Sequence, residues 1–182
     1  MKIPELPRQN LELKANTDSL DFLRECLMTL GACYSRTMYQ VDTYFNAAKG
    51  RLKLREIENG EATLVYYERP DLAEARYSNY QLSSIPGPET FKGMMSDALG
   101  VKAVVEKKRE LWIYGDTRVH LDTVADLGEF VELETVIQDQ SKSEARSEHR
   151  CVKNALQISE SDRIPVSYSD LVLRRRAQDR DL

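Results

Sequence analysis

The sequence predicts an α+β fold, an eight-stranded antiparallel β-barrel (a tunnel) with helices packed on the outside. Three observations lead there. About eight segments show period-two alternation or β-rich composition, and nearly all are joined by short turns. Only about three segments show the apolar spacing of a helix. In four of the strands, aliphatic residues take one face and ionisable residues the other. Eight antiparallel strands commonly close into a barrel, which removes their exposed edges.

Taken in order, "NLELKAN" (10–16) alternates cleanly and reads as the first strand. In "TDSLDFLRECLMTLGACY", Leu20, Leu23, Leu27 and Leu30 recur at helical spacing. Thr17 or Asp18 is placed to cap that helix, and Gly31 to end it. "YQVDTYF" (39–45) and "RLKLREI" (51–57) are strands. "ENGE" (58–61) carries the Asn-Gly hairpin signal before "ATLVYYER" (62–69), and Pro70 stops that strand. "YSNYQLSSI" (77–85) is a further strand. "GPETFKGMMSDALG" (87–100) reads as a short helix, with Phe91, Met94, Met95 and Leu99 on one side. "KAVVEKKRELWIY" (102–114), "RVHLDTV" (118–124) and "EFVELETVI" (129–137) are strands joined by "GDT" and "ADLG". A third helix is expected from about Ser143 to Leu156, then a late strand or short helix at "VSYSDLVL" (166–173). A solvated, frayed tail follows.

At 182 residues the chain suits one domain with one core. Charged residues make up 31%, above the usual level of about 25%, yet the net charge is −4. Bulk charge therefore speaks against nucleic acid as a partner. Three cysteines without CxxC spacing argue against a disulfide framework or a zinc site, and Cys26 and Cys33 read as small core residues. No secretory pattern and no apolar run of about 20 residues is present, so the expected location is cytoplasmic, away from membranes.

The charged faces carry the functional argument. Leu11, Leu13 and Ala15 alternate with Asn10, Glu12, Lys14 and Asn16. Leu52 and Leu54 alternate with Arg51, Lys53 and Arg55. Val119 and Leu121 alternate with Arg118, His120 and Asp122. Val131 and Leu133 alternate with Glu132 and Glu134. "VVEKKREL" and "TLVYYER" are mixed, and parity alone does not say which of their faces turns inward. On a solvated sheet such charges are worth little. Enclosed in a barrel, they must balance one another or a ligand. Paired Arg and Lys suit a row of phosphates, and carboxylates suit the hard cations Mg²⁺ or Mn²⁺ that bridge to phosphates. No GxxxxGK[ST] or GxGxxG loop is present.

"NLELK", "YQVDTYF", "GRLKLRE", "YYERPD", "EKKRELW", "RVHLDTVADLGEFVELE" and "SYSDLV" occur in that order. Together they resemble the CYTH superfamily, the triphosphate tunnel metalloenzymes, nearest to the class IV adenylyl cyclase-like branch. The resemblance covers about residues 10–173 and implies one CYTH-like domain over 1–182, with 174–182 as tail. It implies a metal-dependent enzyme that cyclises or hydrolyses a triphosphate, with Mg²⁺ or Mn²⁺ as cofactor. The substrate would be a nucleoside triphosphate, thiamine triphosphate or inorganic tripolyphosphate, and the protein a monomer or homodimer. Lys14, Lys53, Arg55, Arg76, Lys107, Arg109 and Arg118 are the implied substrate contacts, with Ser78 beside Arg76. Glu12, Asp122, Glu132 and Glu134 are the implied metal ligands, and Glu132, Arg55 and Lys107 the implied catalytic groups.

Two positions depart from that family's pattern. Asn10 stands where the ExExK signature has its first Glu, and Glu68 where many members have Lys. A non-catalytic tunnel that only binds phosphorylated ligands, or a scaffold using its outer surface, are the alternatives. His120 is expected to be a packed or tunnel-lining imidazole rather than a metal ligand, since no second His stands nearby, His149 to be exposed, and Tyr44, Tyr66 and Tyr67 to pack the barrel.

Overall fold

The computed structural model describes residues 8–68, 76–137 and 140–179. Eight strands form one closed antiparallel barrel: β1 (Arg8–Asn16), β2 (Cys33–Phe45), β3 (Arg51–Ile57), β4 (Ala62–Glu68), β5 (Arg76–Ser84), β6 (Val101–Tyr114), β7 (Thr117–Val124) and β8 (Gly128–Ile137). Round the barrel the order is β1-β5-β4-β3-β2-β6-β7-β8. β3–β4 and β6–β7–β8 are joined by tight turns. At the first of these Gly60 sits at φ 87°, and the Asn59 side chain accepts from the Glu61 N–H at 3.0 Å.

Helices cover the aliphatic outer wall. α1 (Leu20–Leu30) buries Leu20, Leu23 and Leu27 against Leu13, Val119, Leu121, Val131 and Leu133 of the wall and Val152 of α3 (Lys142–Ala155). Its cap is Ser19, whose hydroxyl accepts from the Phe22 N–H, so neither Thr17 nor Asp18 serves. Gly31 ends it in the left-handed region, as expected. α2 (Pro88–Leu99) lays Phe91 and Met95 over Phe45, Leu54 and Ala62. No helix among the described residues is long and apolar enough to cross a membrane.

Several expectations are corrected. β2 begins at Cys33, six residues before the expected start. Residues 33–39 pair with β6 but reach past the β3 ladder, which starts at Gln40. With a partner on one side only, that ribbon is largely open to solvent. Cys33 is therefore exposed rather than core, and Cys26 is half-buried. His149 is buried, not exposed, because α3 presses it onto the wall, where its Nδ1 lies 2.9 Å from Thr135 Oγ1.

Of the two readings left open for 166–173, the helix holds: α4 (Tyr168–Gln178) runs well into the stretch expected to fray. A capping box starts it. The Ser167 hydroxyl accepts from the Asp170 N–H, and the Asp170 carboxylate accepts from the Ser167 N–H. Its Leu171 and Val172 pack against a cluster that includes Val105, Val124, Phe130, Ile164 and Val166. Val105, Val124 and Phe130 share strand parity with Lys107, Asp122 and Glu132, so they fill one end of the bore.

Candidate active site

Every strand sends alternate side chains inward, and they enclose a cavity of about 140 Å³. β1 contributes Asn10, Glu12 and Lys14; β2 Tyr44; β3 Lys53 and Arg55; β4 Val65 and Tyr67. β5 adds Ser78, Tyr80 and Leu82; β6 Lys107; β7 Arg118; β8 Glu132 and Glu134. Ser167 and Tyr168 close it from the start of α4. The mixed strands are thereby resolved. Lys107 and Arg109 face in, while Glu110 faces out and is paired with Arg24 of α1 at 2.7 Å. Val65 and Tyr67 of β4 also face in.

Register makes the ion pairs. Pairing of β2 with β3 sets Asp42 opposite Arg55, and pairing of β6 with β7 sets Arg109 opposite Asp122. Pairing of β1 with β8 sets Lys14 opposite Glu132 and Glu12 opposite Glu134. Pairing of β7 with β8 sets His120 opposite Glu132 and Arg118 opposite Glu134. Such cross-strand neighbours lie close enough to touch on the shared face.

Two carboxylates anchor the network. Asp42 is fully buried; Lys53 Nζ lies 2.6 Å from it, Arg55 Nε 3.1 Å, and Lys107 Nζ 3.8 Å. Gln40 also donates to it, at 2.9 Å. Asp122 is equally buried. It is held by Arg109 on both oxygens and by the Tyr168 hydroxyl, which donates at 2.9 Å. Glu132 pairs with Lys14 at 3.0 Å and with Arg109, and Glu134 pairs with Arg118 at 3.1 Å. The Lys14 ammonium also lies 3.5 Å from the centre of the Tyr168 ring, a cation–π contact. Of the Arg55 guanidinium, only Nε is hydrogen bonded among the described residues, which leaves the fork turned to the cavity.

The electrostatics follow from this arrangement. Burial disfavours charge on Asp42, but Arg55, Lys53 and Lys107 more than offset it and hold the carboxyl well below the ordinary range. Burial and then the Arg55 charge push Lys53 down to about 7. Burial works against Glu134 too, yet His120 and Arg118 draw it down to about 2. Glu132 is likewise held well below its usual value against burial, chiefly by Lys14 and Arg109. Burial and Arg109 lower His120 below the ordinary imidazole range. The tunnel thus holds ionised carboxylates and cations together at neutral pH.

The structure gathers Glu12, Lys14, Lys53, Arg55, Lys107, Arg118, Glu132 and Glu134 on the cavity, with Arg109 and Asp122 in the same network. Arg76 stands in β5 opposite Glu12, and its side chain lies outside the described residues. Asn10 takes up a role a carboxylate would have: with its amide oriented to satisfy its neighbours, its oxygen accepts from Arg118 at 3.0 Å. Glu68 sits off the cavity wall. It accepts from the Tyr66 hydroxyl at 2.5 Å and pairs with Lys49 at 3.2 Å. Tyr44 and Tyr67 pack inside the barrel as expected, beside the cavity. Asp42 and Tyr168 were not foreseen. Asp42 shares its face with the uncharged Gln40 and Tyr44, so parity alone gave no ionisable pattern on that strand.

The profile of the CYTH domain matches residues 8–168. The chain belongs to the CYTH domain family. It is 28% identical to a candidate adenylate cyclase of Methanocaldococcus jannaschii, over 88% of this chain and 97% of that protein. Among solved structures, a protein of Pyrococcus horikoshii has the same fold, with a TM-score of 0.79 and 24% identity over 89% of this chain and 98% of the other. A candidate adenylyl cyclase from Hippeastrum with a dominant triphosphatase activity aligns with a TM-score of 0.62 and 13% identity, covering 93% and 96% of the two chains. For this CYTH chain these likenesses extend through the whole barrel.

Proposed function

We propose that the tunnel binds a triphosphate together with a divalent metal and hydrolyses it. The observation that carries this reading is the Arg55 fork, aimed into the cavity beside Lys53 and Lys107. Cations this close together, neutralised by fewer fully buried carboxylates, suit a multiply charged guest. The substrate is inorganic tripolyphosphate, or a nucleoside or thiamine triphosphate whose phosphate chain enters the tunnel.

Glu132 and Glu134 are the carboxylates that fit a metal, with Glu12 beside them on the wall. When bound, Mg²⁺ or Mn²⁺ supplies charge neutralisation at the phosphate oxygens. The chain's own residues do the rest. Lys14 and Arg109, which neutralise Glu132, would also be within reach of the phosphates. Arg55 and Lys107 stabilise charge gathering on the phosphoryl oxygens during water attack, and Glu132 orients the water. Asp122, with its oxygens taken by Arg109 and Tyr168, would position Arg109 rather than hold the metal.

A second reading is cyclisation, in which a ribose hydroxyl at the mouth attacks the α-phosphorus and pyrophosphate leaves; the adenylate cyclase relative favours it. Asn10 favours a third, binding without turnover, because it removes one carboxylate from β1. Incubating the protein with tripolyphosphate, ATP and thiamine triphosphate, with Mg²⁺ or Mn²⁺, separates the three. Orthophosphate is the expected product. Cyclic AMP with pyrophosphate would move the assignment to a cyclase, and tight binding with no product to a binding module.

Lys53 makes binding depend on pH. A phosphate beside it raises its pKa from about 7, so above pH 7 binding takes up a proton. Affinity then falls as pH rises from 7 to 9, by up to about tenfold per unit, and levels off below 6, where the lysine is already charged. Calorimetry of tripolyphosphate in two buffers of different ionisation enthalpy reads the proton directly. Zero uptake at pH 8 would place the phosphates away from Lys53.

A further inference from the structure

We propose that His120 is a third protein ligand beside Glu132 and Glu134, so that the tunnel's metal position is a mixed nitrogen–oxygen site favouring Mn²⁺ or Co²⁺ over Mg²⁺. This rests on the reading that the tunnel takes a divalent metal, and it assigns a residue that the cation-and-carboxylate argument leaves idle.

His120 is 7% exposed, and its Nδ1 has no hydrogen-bond partner among the described residues. A buried ring nitrogen normally finds one. This one faces two carboxylate oxygens, Glu132 Oε2 at 3.9 Å and Glu134 Oε1 at 3.8 Å. Both distances are too long for a hydrogen bond. Each lies inside the limit of about 4.2 Å for two ligands about 2.1 Å from one metal, so a small inward turn of these side chains brings them onto a shared ion. All three donor atoms lie within 4.8 Å of one another.

The oxygens are divided in a way that suits this. Glu134 gives Oε2 to Arg118 and turns Oε1 to His120. Glu132 gives Oε1 to Lys14, and its Oε2, the oxygen nearer His120, also meets Arg109. The β7–β8 register sets His120 opposite Glu132, and Glu134 follows two residues on along the same face, so the trio belongs to the barrel wall rather than to a loop. Imidazole nitrogen suits Mn²⁺ poorly compared with Co²⁺ or Zn²⁺, but Mg²⁺ prefers oxygen more strongly still.

Pulsed electron paramagnetic resonance on the full chain loaded with Mn²⁺, with and without tripolyphosphate, tests the assignment without any variant. Nitrogen coupling to the ion is expected. In His120→Ala it disappears, Mn²⁺ and Co²⁺ affinities fall about 10- to 100-fold, and Mg²⁺ affinity falls less than about threefold. Mn²⁺ bound without nitrogen coupling would overturn the inference and leave the metal-dependent reading standing. No binding of any of these ions, with or without tripolyphosphate, would overturn both.

Discussion

Replacing Asp42 with alanine is expected to destabilise the protein by about 3–5 kcal/mol, the usual cost of stripping the partner from buried charges. Asp42 is fully buried and sits within 3.8 Å of Lys53, Arg55 and Lys107. Without it, three cations converge with no anion between them. Asp42→Asn keeps the shape and removes only the charge, so it should cost nearly as much. The loss should be larger at pH 6 than at pH 8.5, because Lys53, already lowered to about 7, can shed its proton at the higher pH. Tripolyphosphate should restore part of the lost melting temperature by supplying the missing negative charge. Urea unfolding of both variants at the two pH values checks this. A cost below about 0.5 kcal/mol for Asp42→Asn would mean the cations are not held as described.

Arg55→Ala is expected to do the reverse, sparing the fold and removing the chemistry. Its side chain is 28% exposed, and Asp42 keeps Lys53 and Lys107 when it is lost. Stability should change by less than about 1 kcal/mol. Turnover of the preferred triphosphate should fall about 10²- to 10³-fold, as when one oriented donor is removed from a transition state. Arg55→Lys should recover little, because an ammonium cannot present the flat two-pronged donor that clamps a phosphate. Steady-state kinetics beside thermal unfolding separates the two effects. Undiminished kcat/KM in Arg55→Ala would remove the tunnel from the reaction.

The sequence made the wall legible wherever alternation was clean. Leu52 and Leu54 against Lys53 and Arg55, or Val131 and Leu133 against Glu132 and Glu134, leave one way to turn when helices wait to cover the aliphatic side. It was silent where both faces carried charge. In "VVEKKREL", the inward set is settled by partners on other strands and on α1: Asp122 takes Arg109 and Arg24 takes Glu110. These are matters of register and packing that no local pattern reports.

Asp42 escaped notice for a related reason. Its neighbours on the same face, Gln40 and Tyr44, are uncharged, so its strand did not stand out as ionisable. Only the pairing with β3 sets it among cations. The final helix was left open against a strand because Val166 and Tyr168 favour strand, although Ser167 and Asp170 already carried a capping signal. His149 was misplaced because α3 is polar along most of its length, and its buried stripe is only Ala145, His149 and Val152.

The central claim is that the ionised bore of the barrel is a seat for a phosphate chain. A crystal structure with a non-hydrolysable triphosphate and Mn²⁺ tests it most directly. The account predicts phosphate oxygens against Lys53, Arg55, Lys107 and Arg109, with the ion beside Glu132 and Glu134. Phosphates bound on the outer wall, with the Asp42 and Asp122 clusters intact around an interior they never enter, would contradict it.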